Sequence, residues 1–359
     1  MKLQRDFFKR TFHFNFDART SRGRMKEKHS WFVKVWHEHD PHCIGLGECG
    51  PLPGLSVDDL PDFEEVLKDC LHKLTDSDLA VDSIVPIGFP SIRFGIETAL
   101  LDLKYGGQRK IFDNSFLKGT PLPINGLVWM GDLDSMLQQV SAKIEKGFRC
   151  IKIKVGGLNF EKECDILQYI RSKYYRENIT IRLDANGAFK PDEALYKLNE
   201  LSRFNIHSIE QPIKTGLDIL PELCRKSPIP VALDEELIGV EVAEEKIKLL
   251  DRINPAFIIL KPTLHGGLKS CEEWIRLAEE RQIGWWMTSA LESNIGLNAI
   301  CQFTANYPVT LPQGLGTGQL YDDNFDSPLT VSNGEIFYDQ NKPWALDQPD
   351  GLEGEATVS

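Results

Sequence analysis

The chain has 359 residues, 42% of them hydrophobic and 26% charged, with a formal net charge of −12 at pH 7. That acidity works against nucleic acid and anionic membranes, which are bound chiefly through clustered Lys and Arg. No stretch approaches the roughly 20 uninterrupted apolar residues of a membrane span, and the opening MKLQRDFFKRTFHFNF lacks a secretory core, so a cytoplasmic protein with no membrane or nucleic-acid partner is expected.

The length predicts one large domain with a smaller one beside it. In chain order, 3–16 and 30–47 read as strands and 56–75 and 91–106 as helices, making an α+β unit over 1–118. From 119 to 318 short apolar or β-branched runs alternate with helical stretches, the pattern of parallel strands joined by crossover helices. The strands are expected at 122–127, 150–155, 179–184, 207–211, 229–234, 256–261, 283–288 and 309–315. Between them, 159–176, 190–204, 241–252 and 268–281 interleave charges with Leu, Ile and Ala at helical spacing and should form an outer ring. Eight such units close into a (β/α) barrel, and the fold class is α/β. After 318, strand-like pieces at 329–331 and 335–338 precede an acidic end, reaching 359, that is expected to fray. The eight cysteines stand singly without a CxxC pair, which suggests buried thiols rather than a disulfide framework or a zinc ribbon. The oligomeric state is left open.

Most of the barrel strands end in an ionisable residue, and barrel enzymes build their sites at the C-terminal ends of their strands. The second strand gives Lys152 and Lys154, the third Asp184, the fourth Glu210, the fifth Asp234 and the sixth Lys261, so five adjacent strands aim charge at one cavity. Three carboxylates there would repel one another, and a hard divalent cation that prefers oxygen would hold them together. Asp184, Glu210 and Asp234 therefore read as a magnesium triad, with manganese as a substitute; no His or Cys at neighbouring strand ends favours zinc. Each acid taken alone is more simply a loop acid or helix cap, and three at consecutive strand ends reverse that balance. Lys152 and Lys154 share one face of their strand. Crowding by a second cation and a metal is expected to depress an ammonium pKa and give the neutral amine a general base needs. A solvated KxK edge would be the plainer reading, but the apolar run CIKIKV makes it costly. Lys261 supplies a cation facing this pair from beyond the metal strands.

KIKVGG, RLDANGAF, SIEQP, ALDEEL, ILKPTLHGG and TSALESNIG resemble the barrel motifs of the enolase superfamily, in its muconate-cycloisomerase-like branch. GLGECGPLPGLS, FPSIRFGIETALLDL and PINGLVWMG are similar to the o-succinylbenzoate synthase family within that branch. The resemblance covers nearly the whole chain and implies a modified TIM barrel under an N-terminal α+β capping domain completed by the C-terminal segment 319–359. It implies a small-molecule carboxylate substrate, dehydrated in menaquinone biosynthesis from 2-succinyl-6-hydroxy-2,4-cyclohexadiene-1-carboxylate. Lys154 would then be the proton-abstracting base with Lys152 beside it. Asp184, Glu210 and Asp234 would ligate magnesium, and Lys261 would stabilise the enediolate from the opposite face. Arg182 would help position the lysine pair, and Ser289 would lie near the substrate carboxylate or succinyl group. A loop at 18–28, with Arg22 and Gly23, could close over an anionic substrate, although a solvated hairpin turn fits that stretch equally.

Three rival readings remain. A dipeptide epimerase or N-acylamino acid racemase of the same superfamily would use Lys154 and Lys261 as bases on two faces. A Schiff-base aldolase would use one lysine as nucleophile without metal, and borohydride trapping would reveal it. A non-catalytic barrel would have little reason to keep three acids and three lysines together. His37, His39 and His42 suggest a hairpin before a metal site, and QGLGTGQ lacks the Lys-Ser/Thr of a phosphate loop. Trp285 and Trp286 should divide between core and helix layer.

Overall fold

The computed structural model describes residues 2–20, 23–75, 81–175 and 178–346; the side chains of 17–20 and 23–24 lie outside that description, as does the acidic end from 347. Three strands open the chain, β1 (Leu3–Thr20), β2 (Gly23–His37) and β3 (Asp40–Cys49), as an antiparallel meander. Three helices follow: α1 (Phe63–Lys73), α2 (Val81–Ile84) and α3 (Pro90–Lys104). Side chains alternate across β1, so Phe7 meets Val33, Val35, Ile92 and Ile96 on one face. Phe8, Phe12 and Phe14 turn to the other. The long α3 lies directly on β3 because glycines remove the side chains between them: a Cβ on Gly47 would stand 1.9 Å from the Gly95 carbonyl oxygen. The same contact explains why GLGEC and the glycine of FPSIRFG occur in one chain.

Two stretches read in more than one way from the sequence are hairpins. The strand expected at 30–47 is a hairpin, with His37 paired to Asp40 across a turn at 38–39, where His39 and Asp40 are exposed. The stretch 18–28, which suits a closing loop and a hairpin turn equally, is the end of a longer hairpin: β1 runs to Thr20 and pairs with Gly23, with the register broken between His13 and Ala18. Lys28 in that stretch is buried, so its ammonium faces the core rather than a ligand.

β4 (Leu122–Pro123) and β5 (Gly126–Val128) begin the second part. Strands and helices then alternate: α4 (Leu133–Glu145), β6 (Cys150–Lys154), α5 (Phe160–Lys173), β7 (Thr180–Asp184), α6 (Pro191–Ser202), β8 (Ser208–Glu210) and α7 (Leu220–Lys226). They continue through β9 (Val231–Leu233), α8 (Ala243–Ile253), β10 (Phe257–Leu260), α9 (Gly267–Glu279), β11 (Gly284–Met287) and α10 (Asn294–Thr304). β5 to β11 form one parallel sheet in sequential order, as eight-unit patterning predicts for its first seven members.

The eighth strand, expected at 309–315, is reduced to two bridging residues: Gln313 pairs with Ile124 and Gly314 with Thr288, which closes the ring. Pro312 has no N–H to donate and glycines follow it, so a longer ladder cannot form. The first strand is also divided, because Leu122 and Pro123 pair antiparallel with the final hairpin, β12 (Leu329–Ser332) and β13 (Glu335–Tyr338). Asn333 and Gly334 at its turn have φ of 53° and 74°, as a two-residue primed hairpin turn requires. Residues 320–322 return to β1 through Asn15 N–H to Leu320 O (3.0 Å) and Asp322 N–H to His13 O (3.0 Å).

Two glutamates of the first part are seated on helix N-termini of the second. Glu97 on α3 accepts from Leu268 N–H at 2.6 Å at the start of α9, and burial pushes its carboxyl up to about 7. Glu48 on β3 accepts from Ser293 N–H (3.0 Å), Ser293 Oγ (2.6 Å) and Gly296 N–H (3.0 Å) at the start of α10. Ser30 Oγ donates to Glu48 Oε1 at 2.8 Å, and the buried Lys28 ammonium lies 4.0 Å away. Helix N-termini attract carboxylates through their free N–H groups and dipole. Glu48→Ala is expected to cost about 3–5 kcal/mol of stability, since it strands a buried ammonium; urea unfolding measures it, and a loss under about 1 kcal/mol would mean that Lys28 finds another partner. Among the described residues no helix is long and apolar enough to cross a membrane.

Candidate active site

The parallel register places Lys154 beside Asp184 and Asp184 beside Glu210 at the C-terminal ends of β6, β7 and β8. Asp234 follows β9, and Lys261 follows β10. Asp184, Glu210 and Asp234 are buried, and an oxygen from each lies within 4.8 Å of the others. Lys152 reaches into this group, 2.9 Å from Asp184 and in contact with Glu210. Lys154 Nζ lies 2.7 Å from Asp184 Oδ2 and donates to Asn186 Oδ1 at 2.7 Å. On the far side Lys261 Nζ grips both oxygens of Asp234 at 2.7 and 2.6 Å.

Burial alone would lower the Lys152 pKa, but the Asp184 and Glu210 carboxylates overcome it and raise it. Carboxylates thus outweigh burial at Lys152. Burial likewise works against Lys261, and Asp234 and Glu235 raise it. Burial pushes Glu210 up to about 8, with Asp184 and Asp234 adding their repulsion. Asp184 stays well below its ordinary value despite burial, because two ammonium groups face it. Glu210 Oε1 is buried without a hydrogen-bond partner. An orphaned carboxylate oxygen in an all-oxygen cluster is what a divalent cation would satisfy, so these residues could hold a metal ion.

Above the cluster lies a cavity of about 670 Å³. Lys152, Lys154 and Lys261 line it, with Asn125, Trp129 and Ser289 on its walls and Phe16 of β1 at its rim. The Phe16 and Trp129 rings meet at a tilt of 57° with centroids 5.0 Å apart, so the first hairpin reaches the cavity. Ser289 Oγ is held by Glu292, which accepts from it at 2.5 Å and also from Ala290 N–H (2.8 Å) and Thr263 Oγ1 (2.5 Å). Glu292 thereby ties the loop after β11 to the loop after β10. Arg182 is fully buried inside the barrel, stacked 3.9 Å over Trp286, and donates to Pro312 O at 2.7 Å. It sits opposite Lys152 in the register, yet the hydrogen bond it makes braces the short eighth strand. Trp286 fills the barrel core, and Trp285 turns outward against Glu279 and Tyr307. Gly23 lies at the hairpin end, and Arg22 falls outside the described residues.

Sequence reasoning passed over Asn186, Glu235 and Glu292. The first two were visible as the fourth letter of LDAN, two residues past Asp184, and the third letter of LDEE, next to Asp234. Asn186 Nδ2 donates to Glu235 Oε1 at 2.9 Å.

A family model described as "Enolase C-terminal domain-like" matches residues 135–343. The chain is also 43% identical to the o-succinylbenzoate synthase of Desulfotalea psychrophila, across 89% of this chain and 95% of that one. The chain belongs to the enolase superfamily. Among solved members of the superfamily, the crystal structure of MenC from Desulfotalea psychrophila superposes with a TM-score of 0.83 at 38% identity, covering 94% of this chain and all (100%) of the other. The L-Ala-D/L-Glu epimerase of Bacillus subtilis superposes with a TM-score of 0.80 at 19% identity, over 96% and 97% of the two chains, a likeness of fold alone.

Proposed function

We infer that the chain is an o-succinylbenzoate synthase, a lyase that removes water from 2-succinyl-6-hydroxy-2,4-cyclohexadiene-1-carboxylate in cytoplasmic menaquinone biosynthesis. The observation that carries this reading is a cluster of three buried carboxylates at the floor of one cavity, flanked by Lys154 on one side and Lys261 on the other. Asp184, Glu210 and Asp234 would hold magnesium, or manganese in its place. A metal held by these three residues would supply a fixed positive charge, lowering the cost of the dianion that forms when the carbon next to the substrate carboxylate loses its proton.

Lys154, in its amine form, takes that proton. The electron pair left on carbon shifts into the carboxylate as an enediolate and then expels the ring hydroxyl, while the Lys154 ammonium returns its proton to the departing oxygen. Water leaves and the amine is restored. Lys261, held protonated by Asp234, contributes charge to the intermediate from the opposite face and need not carry a proton. The 43% identity to a synthase, against 19% to an epimerase of like fold, supports dehydration over epimerisation.

The test is assay of purified protein on the cyclohexadiene acid beside dipeptides and N-acylamino acids in deuterated water. Dehydration is expected to dominate, and Lys261→Arg should keep measurable synthase activity, since arginine retains the charge but cannot act as a base. Deuterium entering the α-carbon of a dipeptide far faster than the acid is dehydrated would replace this reading with an epimerase.

A further inference from the structure

We propose that Asn186 is the positioning residue for the base of this site, fixing the direction in which Lys154 presents its amine; this rests on the synthase reading above. Asn186 stands two residues beyond Asp184 in the turn that leaves β7, with its φ at +44° and its N–H donating to Asp184 Oδ1 at 3.1 Å. The left-handed conformation turns its side chain back across the strand end. Its amide then has one permitted orientation. Nδ2 donates to Glu235 Oε1 at 2.9 Å, and Oδ1 on the opposite side accepts from Lys154 Nζ at 2.7 Å, so a flipped amide would set oxygen against oxygen and one donor against another.

Lysine carries its ammonium on a flexible four-carbon stem with three rotatable donors, and one contact leaves it free to swing. Lys154 has two contacts: Asp184 Oδ2, which it shares with Lys152, and Asn186 Oδ1. Asn186 and Glu235 also line both the substrate cavity and a smaller cavity of about 340 Å³, walled by Leu55, Gln211 and Thr215 among others. Their hydrogen bond therefore stands in the wall between the two. The same amide that aims the lysine keeps water of the outer cavity from it.

Asn186→Gly removes the amide and tolerates the positive φ, while Asn186→Asp keeps the shape and the acceptor but cannot donate to Glu235. Both are expected to lower kcat about 10–100-fold, the cost of misplacing a reacting group by about 1 Å, with KM within about threefold. The isotope effect from substrate deuterated at the abstracted position should rise, because proton transfer becomes fully rate-limiting. Magnesium binding by calorimetry should stay within about threefold of the unmodified protein, which separates aiming of the lysine from damage to the metal cluster. The proposal is overturned if folded Asn186→Gly keeps kcat within about threefold, or if the loss sits in KM or magnesium affinity with the isotope effect unmoved. Should the glycine variant fail to fold, an aspartate variant with unchanged kcat overturns it equally. Failure of the synthase reading would show separately, as unmodified protein that does not dehydrate the cyclohexadiene acid.

Discussion

Lys154→Ala should leave a folded protein whose turnover of the cyclohexadiene acid has fallen by at least the ~10²–10⁴-fold that a positioned general base contributes. The fold should survive because Lys152 still faces Asp184 at 2.9 Å, so no buried carboxylate is left without a cation. Single-turnover kinetics and a melting curve on the same sample check both halves. Near-normal turnover in the variant would mean that another group abstracts the proton.

Removal of divalent metal should have an equally large effect. Chelation is expected to abolish activity and added magnesium to restore it. The ion should also protect the fold, since a ligand present at a hundredfold excess over its Kd adds about 2.7 kcal/mol. Asp184→Asn should remove that protection, because it withdraws one of three carboxylates whose oxygens lie within 4.8 Å of one another. Melting curves with and without magnesium measure the effect independently of any substrate. Full turnover by metal-free protein would sink the triad.

The barrel was legible because five adjacent strands, β6 to β10, are short runs closed by an ionisable residue, and parallel register then sets those residues side by side. Lys154, Asp184 and Glu210 could be placed in one row from spacing alone. The seam of the ring was not legible. An eighth strand held by Gln313 and Gly314, and a first strand divided by Pro123, depend on partners distant in sequence, and periodicity carries no record of them. The N-terminal hairpins were legible only in part: HEHDPH with its Asp40-Pro41 marks the reversal inside 30–47, whereas the polar stretch 18–28 suits a closing loop and a hairpin turn equally.

Polar contacts inside the site were harder still. Asn186 and Glu235 each stand beside a candidate ligand, but which atom meets which is decided by a left-handed turn that composition does not reveal.

Glu48 and Glu97 also bear on how such a protein can be taken apart. Each is an acid of the N-terminal sheet and helix layer that takes backbone N–H donors from the barrel, at the starts of α10 and α9, and only Glu48 also has a donor, Ser30 Oγ, within its own sheet. Cut between the two parts, or graft this N-terminal piece onto an unrelated barrel, and both carboxylates lose those donors while Lys28 stays beneath the surface next to one of them. The two parts are therefore poor modules for recombination. A chimera would need the receiving barrel to offer open helix ends at the same two places.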